Sequence, residues 1–292
     1  EDYSVYVKNT IDVDLTGLKL AVDCANGAVY ETAPEILRGL GAEVIVCNNK
    51  PNGVNINDKC GSTYINNISK FTCEIGADAG LAFDGDADRL LTCDEMGNPV
   101  DGDQTLAITG LQMKKEGKLK ENTIVVTVMT NIGFDIMAIE NGINVVKTKV
   151  GDRYVLEEML KSGYILGGEQ SGHIIFLEHN TTGDGIITAL QLLRVMKVTG
   201  KKLSELAGVM KVFPQVLINA KVKNNNKYKY LEDEIIADMC RQLEDEFHGE
   251  GRVLIRPSGT EPLIRVMIEG KELEIITERA KQLAKLIEER IG

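Results

Sequence analysis

In the stretch "LAFDGDADRLL" three aspartates, Asp84, Asp86 and Asp88, stand at alternate positions with Arg89 directly behind them. Three like charges within five residues of an apolar run repel one another unless something positive sits among them. Hard oxygen ligands on alternate residues of a tight loop suit Mg²⁺, which takes carboxylates and keeps positions for waters or phosphate oxygens. The same spacing matches the first three ligands of an EF-hand, with Glu95 where the bidentate glutamate would fall. Arg89, however, occupies the obligatory glycine position, and "LLTCD" reads as a strand where a calcium loop would continue. The bland alternative is a solvated acidic turn.

Two further loops carry polar groups between glycines. In "LGGEQSGHIIF", Gly167, Gly168 and Gly172 permit sharp turns around Glu169, Ser171 and His173. Glu169 and Ser171 are two apart, so an extended segment would point both the same way, toward vicinal sugar hydroxyls. His173 is one of three histidines and is a candidate acid/base or phosphate contact. In "IRPSGTEPLIRV", Arg256 offers a bidentate fork, Ser258 and Thr260 offer hydroxyls, and Gly259 lets backbone N–H groups turn inward as an anion nest. No Gly-Lys-Ser/Thr follows, so this is not a Walker loop. Each loop alone is also readable as an ordinary turn. A phosphosugar held among the three accounts for all of them.

Positioning these loops falls to alternating elements. "KLAVDC", "EVIVCN" and "AGLAF" are short apolar runs bounded by Gly, Asn or Asp, and predict strands. "AVYETAPEILRGLG" predicts a helix. From about Asp103 the alternation restarts, with helices in "QTLAITGLQMKKEG", "GFDIMAIENG", "RYVLEEMLKSG" and "DGIITALQLLRVMKVTG". Strands lie between them in "TIVVTVMT", "INVVKTKV" and "YILGGE". Strands alternating with helices imply an α/β fold of layered mixed sheets. After about Gly208, "QVLINAKVK", "GRVLIRPSGTE" and "LIRVMIEG" predict an antiparallel sheet. Ile276, Ala280, Leu283, Ile287 and Ile291 predict a final helix with one apolar stripe. The expected domains are therefore 1–102, 103–208 and a small α+β domain, 209–292.

Bulk properties narrow the function. A chain of 292 residues exceeds one comfortable core. Its net charge of −11 and pI near 5.0 argue against a nucleic-acid or anionic-membrane surface. No apolar run approaches the roughly 18 residues of a membrane span. Six cysteines without a CxxC pair read as reduced thiols, and a cytoplasmic location is expected.

Along its whole length, and at all three loops, the chain resembles the α-D-phosphohexomutase superfamily. The "DGDADR", "GEQSGH" and "RPSGTEP" loops, in this order and spacing, carry the resemblance. It implies that Asp84, Asp86 and Asp88 ligate Mg²⁺ and that Arg89 contacts the reacting group. Glu169 and Ser171 would hold sugar hydroxyls, and His173 would assist near the reacting phosphate. Arg256, Ser258, Gly259 and Thr260 would bind the distal phosphate. It also implies two α/β domains and a last domain similar to the TATA-binding-protein fold. Gln170 stands where phosphomannomutase/phosphoglucomutase enzymes usually have methionine. "PNGVNINDKCGST" and "VGDRYVLEEM" are similar to the bacterial phosphoglucosamine branch. That branch interconverts glucosamine 6-phosphate and glucosamine 1-phosphate through a 1,6-bisphosphate. The other hexose branches and a stand-alone sugar-phosphate-binding module stay open. The family's phosphoserine lies in a Thr-Ala-Ser-His-Asn-Pro loop. None of the seven serines here precedes His-Asn-Pro, so the phosphoserine domain is expected outside this chain and the chain alone is expected to be inactive. A homodimer is left open.

Overall fold

The computed structural model describes residues 2–292 and divides into two compact units. Among the described residues the first comprises 2–130 and 134–210, and the second 131–133 and 211–292.

The first unit opens with α1 (Asp2–Lys8), β1 (Lys19–Asp23), α2 (Thr32–Gly39) and β2 (Glu43–Cys47). It continues through α3 (Ile65–Ile75), β3 (Ala79–Phe83), β4 (Leu90–Asp94) and β5 (Pro99–Val100). These strands form a sheet in the order β2-β1-β3-β4-β5. β1 pairs in parallel with β2 and β3, and β3, β4 and β5 are joined antiparallel. All five residues of β3 are buried, as expected of an apolar strand covered on both faces.

A second round follows with α4 (Gly102–Lys115), β6 (Thr123–Thr127), α5 (Ile132–Glu140) and β7 (Asn144–Thr148). It ends with α6 (Asp152–Ser162), β8 (Leu166–Gly168), β9 (Ile174–Phe176), α7 (Gly185–Thr199) and α8 (Leu203–Ala207). The sheet order is β7-β6-β8-β9, with β6 parallel to β7 and β8 and β9 antiparallel to β8. This repeats the first sheet: a founding strand in the middle, a parallel partner on each side, then an antiparallel return. The turn of that return is the aspartate loop in one sheet and the "GEQSGH" loop in the other.

α4 is buried at every residue from Gly102 to Gly110, and α7 at ten of its fifteen. Neither exposes a face over its first turns, so both lie within the layers rather than on them. Leu81 and Leu90 of the first sheet, Ile124, Val126 and Leu166 of the second, and Leu106, Leu190 and Leu193 of these helices share one hydrophobic core. The boundary expected between 102 and 103 falls at the first turn of α4.

Arg194 of α7 fastens the segment after α1. Its guanidinium lies 2.5 Å from the Asp12 carboxylate and 2.7 Å from that of Glu116. For Glu116 burial acts upward, but Arg194, Gln112 and Lys118 outweigh it and hold the carboxyl down at about 2. Its hydrogen bond to Arg194 likewise keeps Asp12 below its ordinary value. Both folded values lie below the unfolded ones. The stability contributed is therefore complete above about pH 4.5 and lost as the pH falls toward 2. Urea unfolding across that window should show Arg194→Met flattening the acid-side loss relative to the parent chain.

The second unit contains β10 (Gln215–Lys221), α9 (Glu234–Glu246), β11 (Arg252–Pro257), β12 (Leu263–Glu269) and α10 (Leu273–Ile291). Its antiparallel sheet runs β10-β12-β11. All five stripe residues expected on the last helix are buried, against Ile264, Val266 and Ile268 of β12. Glu269 is fully buried and accepts hydrogen bonds from Arg252 Nε (2.5 Å) and the Ile132 N–H (3.0 Å).

No helix among the described residues is long and apolar enough to cross a membrane. The six cysteines are free. Burial pushes the Cys24 and Cys47 thiols up to about 12, while Cys73 is exposed.

Candidate active site

The aspartate loop leaves β3 at the carboxyl edge of the parallel strands, beside the switch point between the neighbouring strands β1 and β3, from which the chain continues to opposite sides of the sheet, the usual ligand position in such sheets. It is braced by backbone contact: the Ala28 N–H donates to Gly85 O at 2.8 Å, and a Cβ on Gly27 would stand 2.3 Å from that oxygen. Ala87 takes a left-handed φ of 61°. The three carboxylates each bring an oxygen within 4.8 Å of the others, with Asp84 buried, Asp88 half-buried and Asp86 exposed. In a Mg²⁺ octahedron neighbouring ligands are about 3.0 Å apart and opposite ones about 4.2 Å, so the donor set suits that ion once the carboxylates draw inward around it. Arg89 Nε lies 2.9 Å from Asp84 Oδ2 and 3.4 Å from Asp88 Oδ1. Burial pushes Asp84 up to about 6; Arg89 opposes this, and Asp88 and Asp86 add to it. A carboxyl so destabilised as an anion is one that a cation would relieve. Glu95, the residue an EF-hand would have used, accepts instead from the Ser204 hydroxyl at 2.5 Å.

The "GEQSGH" loop closes the β8–β9 hairpin and docks on the start of β4. The Leu90 N–H donates to Gly172 O at 3.1 Å. Gly172 has φ +92°, and a Cβ there would stand 2.2 Å from Leu90 O. Gly172→Ala would therefore meet backbone as well as a disfavoured φ. We expect a loss of about 1–3 kcal/mol in urea unfolding, with weaker divalent-ion binding in the same sample. The Gly172 N–H also donates to Glu169 O. The segment is thus a tight turn and not the extended run that would align Glu169 with Ser171. Glu169 Oε1 accepts from the Gly151 N–H at 3.0 Å, and Ser171 is exposed. Gln170 donates to Asp101 at 3.2 Å, the residue that caps α4. Its amide is held by the protein, which weakens its value as a sign of amino-sugar preference.

His173 joins the two loops. It is buried, with Nδ1 3.0 Å from Asp88 Oδ2. The Gly183 N–H donates to Nε2 at 3.0 Å, and the Asp152 carboxylate is 4.0 Å from that nitrogen. A backbone donor on Nε2 requires the neutral ring to carry its proton on Nδ1 and to donate to Asp88. Sequence reasoning passed over the segment that supplies this contact. A Cβ on Gly183 would stand 2.6 Å from both Asp88 O and the His173 ring. Gly185 donates to Ala87 O at 2.9 Å, and Asp184 caps α7 through Ile186 and Ile187. Asp-Gly before a helical pattern was a readable cap; the packing on the aspartate loop was not.

The "RPSGTEP" loop belongs to the second unit and joins β11 to β12. The Ser258 N–H donates to Leu263 O at 3.0 Å, and Ser258 Oγ accepts from the Glu261 N–H at 3.2 Å. Lys227, itself buried, donates to Ser258 O at 2.8 Å. Gly259 and Thr260 are exposed. Gly259 has no positive φ and open space where a Cβ would be, so the turn does not demand glycine there, contrary to the expected nest. Arg256 sits opposite Arg265 in the strand pair. Burial and then the charge of Arg265 lower its pKa, and like charges directly opposite are destabilising. Lys227 and Arg265 escaped the sequence reading, although hairpin register could have exposed Arg265.

Models of the phosphoglucomutase/phosphomannomutase family match at residues 1–97 (alpha/beta/alpha domain II), 101–213 (alpha/beta/alpha domain III) and 217–286 (C-terminal domain). The chain is 66% identical over all 292 residues to a phosphoglucosamine mutase of Acetivibrio thermocellus and 65% identical to that of Ruminiclostridium cellulolyticum. It spans 65% of the length of each. A crystal structure of Aspergillus fumigatus N-acetylphosphoglucosamine mutase with GlcNAc-6P and magnesium superposes with a TM-score of 0.77 at 19% identity. That match covers 99% of this chain and 65% of the other, and it bears on the fold alone. The chain belongs to the phosphoglucomutase/phosphomannomutase family and carries its domains II, III and IV.

Proposed function

We propose that this chain is the metal-, sugar- and phosphate-holding part of a phosphoglucosamine mutase, acting on glucosamine 6-phosphate and glucosamine 1-phosphate. Segment 1–102 carries the metal loop, 103–208 the sugar loop and 209–292 the phosphate loop. The observation that carries the reading is the union of two chemically different loops through His173 and Asp88. A phosphoryl-transfer site needs a cation held beside a group that recognises hydroxyls. The amino-sugar class is supported by the relatives' names and by identity along the full chain.

Asp84, Asp86 and Asp88 would hold Mg²⁺, which supplies positive charge to offset that of a transferring phosphoryl group. Arg89, already on two of these carboxylates, would add its charge when a phosphate arrives. Glu169 and Ser171 would accept and donate hydrogen bonds to sugar hydroxyls. Arg256 and Arg265, with Ser258, Gly259 and Thr260, would grip the phosphate that is not being transferred. A charge-reading grip suits a reaction in which either phosphate must occupy it. The phosphoryl donor itself, a phosphoserine in the family, would be supplied by residues other than these.

Calorimetric titration in Mg²⁺ with glucosamine 6-phosphate and with glucose 6-phosphate tests the reading. Preferential binding of the amino sugar supports it. Equal affinity would remove the amino-sugar assignment from these residues, and no binding of either would remove the sugar-phosphate site.

A further inference from the structure

We propose that Tyr3, Asp184 and His173 form a positioning relay that orients Asp88 and thereby sets the metal affinity of the aspartate loop. This rests on the reading of that loop as a divalent-cation site and deepens it.

The relay begins on α1, more than eighty residues before the loop it acts on. The Tyr3 hydroxyl donates to the Asp184 carboxylate, 2.8 Å and 3.0 Å from its two oxygens. Tyr6, on the same helix, donates to His179 O at 2.5 Å. The helix thus grips segment 179–184 at both ends. Asp184 has little freedom left, because its Oδ1 also accepts from the N–H groups of Ile186 and Ile187 at 3.0 Å each. Next to it, Gly183 sits so close to the Asp88 backbone and the His173 ring that no side chain fits. Its N–H fixes the His173 tautomer, and the opposite ring nitrogen donates to Asp88 Oδ2.

This last bond has a directional consequence. His173 is buried, so packing fixes its ring beside the half-exposed Asp88 carboxylate. The carboxylate of Asp88 is turned by a neutral donor, leaving its negative charge intact for a cation. Partners that orient ligating side chains typically contribute 10–100-fold in metal affinity. Tyr3 touches none of the candidate ligands, and its effect would have to travel through Asp184, Gly183 and His173.

Mn²⁺, read by its free-ion electron paramagnetic resonance signal, serves as the probe of the 292-residue chain. Asp86→Asn should weaken binding more than about tenfold, locating the ion. His173→Ala should weaken it by about 10–100-fold, and His173→Asn, whose amide can stand in for the Nδ1 donor, should recover most of the loss. Tyr3→Phe, which deletes only the hydroxyl, should weaken Mn²⁺ about three- to tenfold and should add nothing in the His173→Ala background, since coupled sites are non-additive. A purely structural tyrosine would lower the melting temperature and leave the Mn²⁺ affinity within twofold. That result, or full additivity of the two substitutions, overturns the relay while leaving the metal site standing. No Mn²⁺ binding by the parent chain, or indifference to Asp86→Asn, overturns the metal reading and the relay with it.

Discussion

Arg256→Ala should abolish measurable glucosamine 6-phosphate binding in a calorimetric titration, while Mg²⁺ binding at Asp84, Asp86 and Asp88 stays as in the parent. Charge-assisted hydrogen bonds contribute about 1.5–3 kcal/mol each, and a guanidinium fork can make two to one phosphate. Losing both costs on the order of 100-fold or more in affinity. Arg256 is also held opposite Arg265 in the strand pair, a repulsion that Glu261, 3.5 Å from Arg265, offsets only in part. Removing one arginine relieves that repulsion, so the variant should be at least as stable as the parent even as it loses ligand. Arg256→Lys keeps the charge but not the fork and should fall between. Binding that survives Arg256→Ala would mean that the phosphate is held elsewhere.

Glu269→Ala should be the most damaging single change to stability. The carboxylate is fully buried and neutralises Arg252, and it also accepts the Ile132 N–H. Removing one partner of a largely buried ion pair costs about 3–5 kcal/mol, and the Ile132 N–H loses its acceptor as well. Amide hydrogen exchange along β10, β11 and β12 should quicken by on the order of 100-fold or more. Acceleration below tenfold would show that water reaches Arg252 and that the pair contributes little.

The elements of this fold were legible wherever apolar period and turn chemistry agreed. Strands such as "AGLAF" and the stripe Ile276–Ile291 announced themselves because their buried faces leave a periodic trace. α9 carries the same trace more faintly, in Ile236, Met239, Cys240 and Leu243 behind the Asp233 cap, with only Ile236 and Leu243 fully buried. The chemistry-bearing types in the aspartate loop were equally plain, because three carboxylates on alternate residues have few uses. Their partners were not. Gly183 acts through a backbone N–H, which no side chain advertises. Lys227 sits in "NNNKYKY", a segment that reads as solvated, yet its ammonium is buried under Ser258. The Glu169–Ser171 spacing misled because it presumed an extended chain, whereas Gly172 folds the segment back on Glu169.

The core that α4 and α7 share with both sheets of the first unit bears on how this protein can come apart. Each sheet, taken with only its own helices, would expose part of a core in which Leu106, Leu190 and Leu193 join residues of both sheets, and fully burying such side chains contributes about 1.5–3 kcal/mol apiece. The stretch through Met210 should therefore melt as one cooperative block, with β3 and β6 sharing a single exchange-protection limit. Evolutionary shuffling at residue 101 would demand a matched replacement for both halves. The hairpin that presents the aspartates is rigid to the extent that roughly two hundred residues fold together.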